Sequence, residues 1–413
     1  MNRNLVWKLA FRYMRGKGSA NAVPVLSRIS MVAIAVSSAA MIILFSVFNG
    51  FEGLVDQLYR AFYPDIRISA ARGKFFPVND QLRQQIKQTT GVGVISYVLQ
   101  DNVLVNTEEG ETIPVTLKGV DRPYFEVNRV KPYINAGSDS LLTSPVATAI
   151  LGQYIAATLG VDVNNVFDRI QVYYPNPEAT FTGLSATDAF HSLVLKPDGS
   201  FAVQEEFDSR YILADIGLVQ ELMRQPGRYS SVELSIAPGH SLSAVQEALE
   251  KKLGAGYRVE NRFEQNRSVY MVMRTERWAG YAILLFVLLI ASFNMIGALS
   301  LLVLEKQQDI GILEAMGLPS RAISRVILLE GMLWSLAGGI AGVLLGLILC
   351  CCQSYFHLVR ISGAFIIDAY PVAVKGLDIL IVLATVATVG LLAALYPARR
   401  AGSRKVHELL TGK

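Results

Sequence analysis

The side chains with chemistry to offer are few, and they are poorly placed to use it. Cysteine occurs only at 350, 351 and 352, and neighbours in sequence cannot reach the distance and orientation of an ordinary disulfide. A metal site would draw its ligands from separate turns or elements, so the three read as small apolar filler near the end of an apolar run. The four histidines, His191, His240, His357 and His407, are scattered over loops and the C-terminal tail. Neither Gly-x-Ser-x-Gly nor His-Glu-x-x-His occurs, so no activated nucleophile or zinc site is expected. A phosphate loop needs Gly-x-x-x-x-Gly-Lys and then Ser or Thr. Arg15-Gly16-Lys17-Gly18-Ser19 has neither the first glycine nor the final placement. No cofactor and no catalytic centre are therefore expected on this chain.

The elements that surround these residues are apolar. Of 413 residues 52% are hydrophobic and 17% charged, and the net charge is only +4. That is the profile of a membrane protein with soluble parts and more than one domain, and it speaks against nucleic acid. Uncharged runs near or above the ~20 residues that cross a bilayer predict four transmembrane helices, at residues 28–49, 278–304, 326–352 and 376–397. The fourth is slightly short and needs Asp378 and Pro397 at its interfaces.

Lysine and arginine in the flanks set the orientation. Arg3, Lys8, Arg12, Arg15, Lys17 and Arg28, then Lys306 and Arg321, then Arg399, Arg400, Arg404 and Lys405 all fall on one side, which is the cytoplasm. Residues 50–277 and the short loop 353–375 are then outside, and both termini and the tail 398–413 inside. The first run is too long, and lacks the small-residue cleavage pattern, to be a removed signal peptide.

Residues 1–17 read as an amphipathic interfacial helix, with Lys8, Arg12 and Arg15 opposite Val6, Leu9, Ala10 and Tyr13. The outside loop reads as an α+β domain. Strands are expected at 65–69, 94–107, 112–120, 232–236 and 257–260, and helices at 80–89 behind Asn79 and at 241–253 opened by Ser243 with Gln246. Residues 60–127 and 230–262 would form one split βαβ subdomain, and residues 128–229 an inserted, β-rich second one, helical at 146–159 and extended at 168–174. The stretch 175–190 is rich in turn formers yet carries Phe181, Leu184 and Phe190, which either meet a partner or fold back on the insert.

Residues 305–320 join the second and third spans. Ile310, Leu313 and Met316 are three apart, so a helix here shows a small apolar face, and Gly317 can stop it in a left-handed cap before Pro319 opens the next. That face has nothing in the segment to bury against, so the segment reads either as a docking helix or as a connecting loop with one helical turn. In the third span Gly338, Gly342 and Gly346 form one small-residue row, and Gly331, Ser335 and Gly339 a second; both suit close helix packing or a mobile joint. Glu330, near a cytoplasmic boundary, is thin ground for a proton path, and mid-span charges are too few for an ion-coupled carrier. Any energy must then enter from outside the chain.

Several stretches together resemble a known family. Arg12-Tyr-Met-Arg-Gly16, Ser46-Val-Phe-Asn-Gly-Phe-Glu52, Ala291-Ser-Phe-Asn294, Glu305-Lys-Gln307 and Tyr396-Pro-Ala-Arg-Arg400 look like the LolC/LolE lipoprotein-releasing ABC transporter permeases, of the MacB/FtsX-like mechanotransmission class. The resemblance covers nearly the whole chain. It implies four transmembrane α-helices with a large α+β periplasmic domain inserted between helices 1 and 2, in a Gram-negative inner membrane. It also implies a LolD-type ABC ATPase carrying ATP and magnesium, and a second permease subunit, either the same chain or a paralogue. The substrate would be a lipoprotein, and the acceptor a LolA-type periplasmic carrier.

Carried over by position, Glu305, Lys306, Gln307, Asp309, Ile310, Leu313, Glu314, Met316 and Gly317 would form the coupling helix on the ATPase. Met41, Leu44, Phe45, Phe48 and Phe51 would face acyl chains. Phe181, Thr182, Gly183 and Leu184 stand where the family's carrier-binding hook has Pro-Met-Gly, a pattern absent here. The same resemblance admits a MacB-like permease for another amphiphile, or an FtsX-like regulator of a cell-wall hydrolase.

Overall fold

The uncharged runs become long helices, four among the described residues: Ala22–Tyr59, Arg267–Glu305, Ser320–Phe356 and Gly376–Ser403. All four are long and apolar enough to cross a membrane, and a helix meets the demand of hydrocarbon that backbone polar groups be paired internally. The computed structural model describes residues 22–107, 112–137, 141, 146–176, 189–360 and 369–403. The amphipathic segment 1–17 and the tail beyond 403 lie outside them. All four helices overrun their expected spans, most visibly the first, which continues to Tyr59, and the second, which begins at Arg267. Charged residues such as Glu52 and Asp56 end an uncharged run without breaking a helix, so hydropathy alone stops short.

The chain divides into two compact units, residues 55–270 and the remainder that carries the spans, apart from 362–366. In the span-bearing unit the four helices share one apolar core, in which Met41, Phe45, Leu288, Met295, Trp334 and Val386 are buried.

The unit of residues 55–270 is α+β. Its strands are β1 Ile66–Ala70, β2 Phe76–Pro77, β3 Val92–Asn106, β4 Ile113–Val120, β5 Ile134–Gly137, β6 Thr148–Gly152, β7 Ile170–Pro175, β8 Phe190–Phe201, β9 Tyr211–Asp215, β10 Arg228–Tyr229, β11 Ser231–Ile236 and β12 Tyr257–Asn261. Among the described residues ten of them form one sheet in the order β12-β1-β11-β3-β4-β9-β6-β8-β5, with β7 against β3 and β8. Most neighbours are antiparallel, but β4 with β9 and β6 with β8 run parallel.

The sheet joins what the sequence suggests are separate subdomains. β3 is long enough to pair with β11 near its start and with β7 near its end. Its Ile95 and Tyr97 pack on a core of Ile66, Leu82, Val232 and Leu249, while its Leu99 and Val103 enter a second core with Leu151, Ile170 and Ile212. Two cores thus share one wall.

Two local expectations are corrected. Within 146–159 only Gln153–Thr158 is helical, because Thr148–Gly152 is buried on both faces as a central strand. A strand buried on both faces shows no alternation and is easily mistaken for part of a helix. The helix Leu242–Leu253 has Ser241, not Ser243, at its N-cap. Gln246 makes no capping box; its amide donates to Val259 O and Glu264 and tethers the helix to β12.

Candidate functional site

The segment between the second and third spans folds as a helix, Gln307–Ala315. Lys306, outside helical geometry at φ −90° and ψ 12°, breaks it from the helix that ends at Glu305. Gly317 at φ +91° closes it: its N–H donates to Glu314 O and that of Leu318 to Leu313 O, the paired bonds of a Schellman cap. The Pro319 N-cap then opens Ser320–Phe356.

Its faces differ from those the spacing suggests. Ile310 is buried with Val303, Ile323, Ile327, Ala398 and Ala401 of the neighbouring spans. Leu313 is half-buried and, with Ile310, lines a cleft walled also by Leu302, Ile323 and Ile327. The helix lies back on the bundle, so those two residues hold it in place. Turned outward are Ile312 and Met316, 60% and 79% exposed, beside exposed Glu305, Gln308 and Asp309. Lys306 reaches Asp309 at 3.1 Å, and Glu314, half-buried like Gln307, accepts from Ser320 Oγ at 3.2 Å.

The two small-residue rows of the third span face two different helices. A Cβ on Gly338 or Gly346 would stand 2.8 Å from Met31 O or 3.0 Å from Ala39 O, and one on Gly342 would run into Ala35 O. The row therefore lies directly on the first span's backbone, residue for residue in the same direction. Gly331 meets Ala394, Ser335 meets Gly390, and Gly339 meets Val386, so the second row packs on the fourth span in the opposite direction. This matches the alternation that four crossings require.

The end of the first span carries a polar knot that sequence reasoning missed. Asn49 donates to Asp378 and to Ala373 O. Arg277, on the second helix, reaches the other oxygen of Asp378 at 2.9 Å and lies over the Phe45 ring at 5.1 Å. Phe45 stacks on Tyr281, whose hydroxyl meets Thr385 Oγ1 at 2.8 Å. Gly50 is packed so tightly on Pro371 O that no larger residue fits, and Lys375 pairs with Glu52 at 3.4 Å. Asp378 and Asn49 were each visible in the sequence, one at a span boundary and one in a motif. Nothing local announces a partner more than three hundred positions away.

The expected acyl-facing residues are divided by this packing. Met41 and Phe45 are buried inside the bundle, which removes them from its surface. Leu44 and Phe48 are half-buried and Phe51 is 39% exposed. The expected carrier-binding residues, Phe181, Thr182, Gly183 and Leu184, lie outside the described residues; Phe190, just beyond them, is 40% exposed in β8.

In the α+β unit the buried charges serve the fold. Lys118 of β4 reaches Glu233 of β11 at 3.0 Å, Asn128 donates to the other oxygen at 2.6 Å, and the Lys118 ammonium sits 4.7 Å from the Tyr124 ring centre. Burial pulls Lys118 down to about 8, against the opposing pull of Glu233. The Lys118–Glu233 pair thus ties β4 to β11 across β3.

Comparison with known proteins places this architecture. The model of a MacB-like periplasmic core domain matches residues 27–252, more than half of the chain, and that of an FtsX-like permease C-terminal region matches residues 281–406. The lipoprotein-releasing system transmembrane protein LolE of Haemophilus influenzae is 24% identical over 99% of both chains. LolC of Neisseria meningitidis serogroup B is 25% identical over 97% of this chain and 98% of its own. The periplasmic region of MacB from Actinobacillus actinomycetemcomitans aligns with 53% of this chain and 98% of its own at a TM-score of 0.35 and 8% identity. The chain belongs to the MacB/FtsX-like permease family, and its full-length likeness within that family is to the LolC/LolE lipoprotein-releasing permeases.

Proposed function

We propose that this chain is the membrane subunit of an ATP-driven complex that lifts lipoproteins from the outer leaflet of a Gram-negative inner membrane and hands them to a periplasmic carrier. The observation that carries the reading is the match to LolC and LolE across 97–99% of the chain, spans and outer domain together. Lipid extraction needs outside work, since each acyl methylene moved into water costs about 0.8 kcal/mol. That work enters from a LolD-type ATPase on the short helix Gln307–Ala315, whose outward Ile312 and Met316 offer an apolar contact and whose Glu305 and Asp309 offer charge. A second permease copy or paralogue completes the cavity, with the termini in the cytoplasm. Leu44, Phe48 and Phe51, toward the outer end of the first span, remain available to acyl chains. A MacB-like permease for another amphiphile is the second reading, favoured by the MacB-like core match.

Depletion of this protein separates the two. Outer-membrane lipoproteins should accumulate in the inner membrane fraction under the first reading. Normal lipoprotein sorting in depleted cells would rule it out and leave the second.

A further inference from the structure

The cleft between the short helix Gln307–Ala315 and its two long neighbours is walled by Leu302, Ile310, Leu313, Ile323 and Ile327. Its free volume is about 400 Å³ with the open mouth included, which is within the range of small-molecule sites. Glu330 lines it as well. That residue is 0% exposed, and neither carboxylate oxygen has a hydrogen-bond partner among the described residues. A buried carboxylate is strongly disfavoured until a partner answers it. An apolar wall with one unanswered polar group to fix orientation is how a small-molecule site is built.

We propose that this cleft binds a hydrophobic monoamine, its ammonium against Glu330 and its hydrocarbon body along the apolar walls. Other occupants match the lining less well. A calcium or magnesium ion needs about six oxygen ligands, whereas this lining offers one carboxylate. A neutral chain would leave that carboxylate unanswered, and an anion would be repelled by it. Lys306, which pairs with Asp309 at 3.1 Å, also borders the cleft, so a second positive centre on the ligand meets a like charge. One charge on an apolar body is what remains. Bound there, the amine lies against Ile310 and Leu313, the residues that seat the short helix on the bundle, and so holds the helix that carries Ile312 and Met316 outward. The binding itself requires neither an ATPase nor a transported lipid, so its failure would leave the proposed function standing.

The test is equilibrium binding of radiolabelled octylamine to the full chain in phosphatidylcholine nanodiscs, with empty nanodiscs giving the uptake by lipid alone. A saturable site on the protein is expected. Octanol, of equal length but uncharged, should compete at least about tenfold more weakly than unlabelled octylamine, the worth of a hydrogen bond to a charged group. Diaminooctane should also compete more weakly. Glu330→Gln keeps the shape and removes the charge, and should weaken octylamine binding by about tenfold or more in a protein that still melts cooperatively. Absence of a saturable site overturns the proposal, as does octanol or diaminooctane competing as well as octylamine. Unchanged binding to a folded Glu330→Gln protein overturns it too, and if that variant misfolds, the competition on the parent protein decides.

Discussion

Arg277 on the second long helix and Asp378 in the first turn of the fourth hold each other at 2.9 Å, while Asn49 of the first donates to the same carboxylate. Three helices distant in sequence are pinned at one level, and the pair is unequal in burial: the Asp378 side chain is 6% exposed and that of Arg277 28%. Removing the arginine leaves a buried anion, whereas neutralising the aspartate leaves a cation that can reach outward.

Arg277→Met should therefore lower the stability of the detergent-solubilised protein by about 2–4 kcal/mol, and Asp378→Asn by roughly half as much, with the double variant no worse than Arg277→Met. Thermal unfolding of all four proteins closes the cycle. Strictly additive losses would show that the two residues do not act as a pair.

The short helix offers a sharper test, because its inner and outer residues are now distinct. Ile312→Asp and Met316→Asp touch solvent-facing positions and should change stability by no more than about 0.5 kcal/mol, while abolishing co-purification of the ATPase partner proposed above. Ile310→Asp places a charge among Val303, Ile323 and Ile327 and should cost several kcal/mol, about the 3–5 typical of an uncompensated buried charge. ATPase retained by both outer variants would move the docking surface elsewhere.

Glycine packing makes a prediction of opposite signs. A methyl at Gly342 meets Ala35 O, so Gly342→Ala must push two helices apart and should cost about 1–3 kcal/mol, as overpacking does. Gly297 has nothing within 4 Å of where a Cβ would stand. Gly297→Ala should be neutral or stabilising by up to about 1 kcal/mol, the helix-propensity difference. Melting temperatures of the two variants should move apart from that of the parent protein, and a common direction would contradict the packing.

These contrasts also show what a sequence can and cannot reveal. The spans were legible because hydrocarbon imposes a length and a polarity that leave a linear signature, and Gly317 because a left-handed cap needs glycine. The rows of Gly338, Gly342 and Gly346 announced a close approach but not which helix approaches. The orientation of Ile310 and Leu313 was illegible, since a face three residues apart looks alike whether it meets a partner or the bundle beneath. Thr148–Gly152 looks helical in the sequence because burial on both faces erases the alternation of a strand. The Asn49, Arg277 and Asp378 knot is purely tertiary: each member is an ordinary boundary residue until the fold brings the three together.

Asp208 gives the α+β unit a dependence on pH. Its carboxylate accepts from Val203 N–H at 2.9 Å, but burial outweighs that bond and pushes the group up from 3.8 to about 6. A raised carboxyl favours the protonated folded state. Its stability contribution is therefore greatest below about pH 4, is lost as pH rises through the window between 3.8 and about 6, and stays lost above it. Asp208→Asn keeps an acceptor for Val203 N–H and removes the charge. The variant should match the parent near pH 4 and exceed it at pH 7.5 by on the order of 1–2 kcal/mol, after allowance for partial solvation. Tyrosine near-ultraviolet dichroism is weighted toward this unit, since twelve of the chain's 17 tyrosines lie within residues 55–270. Melting curves that stay parallel for the two proteins from pH 4 to 7.5 would show that Asp208 does not titrate in this window.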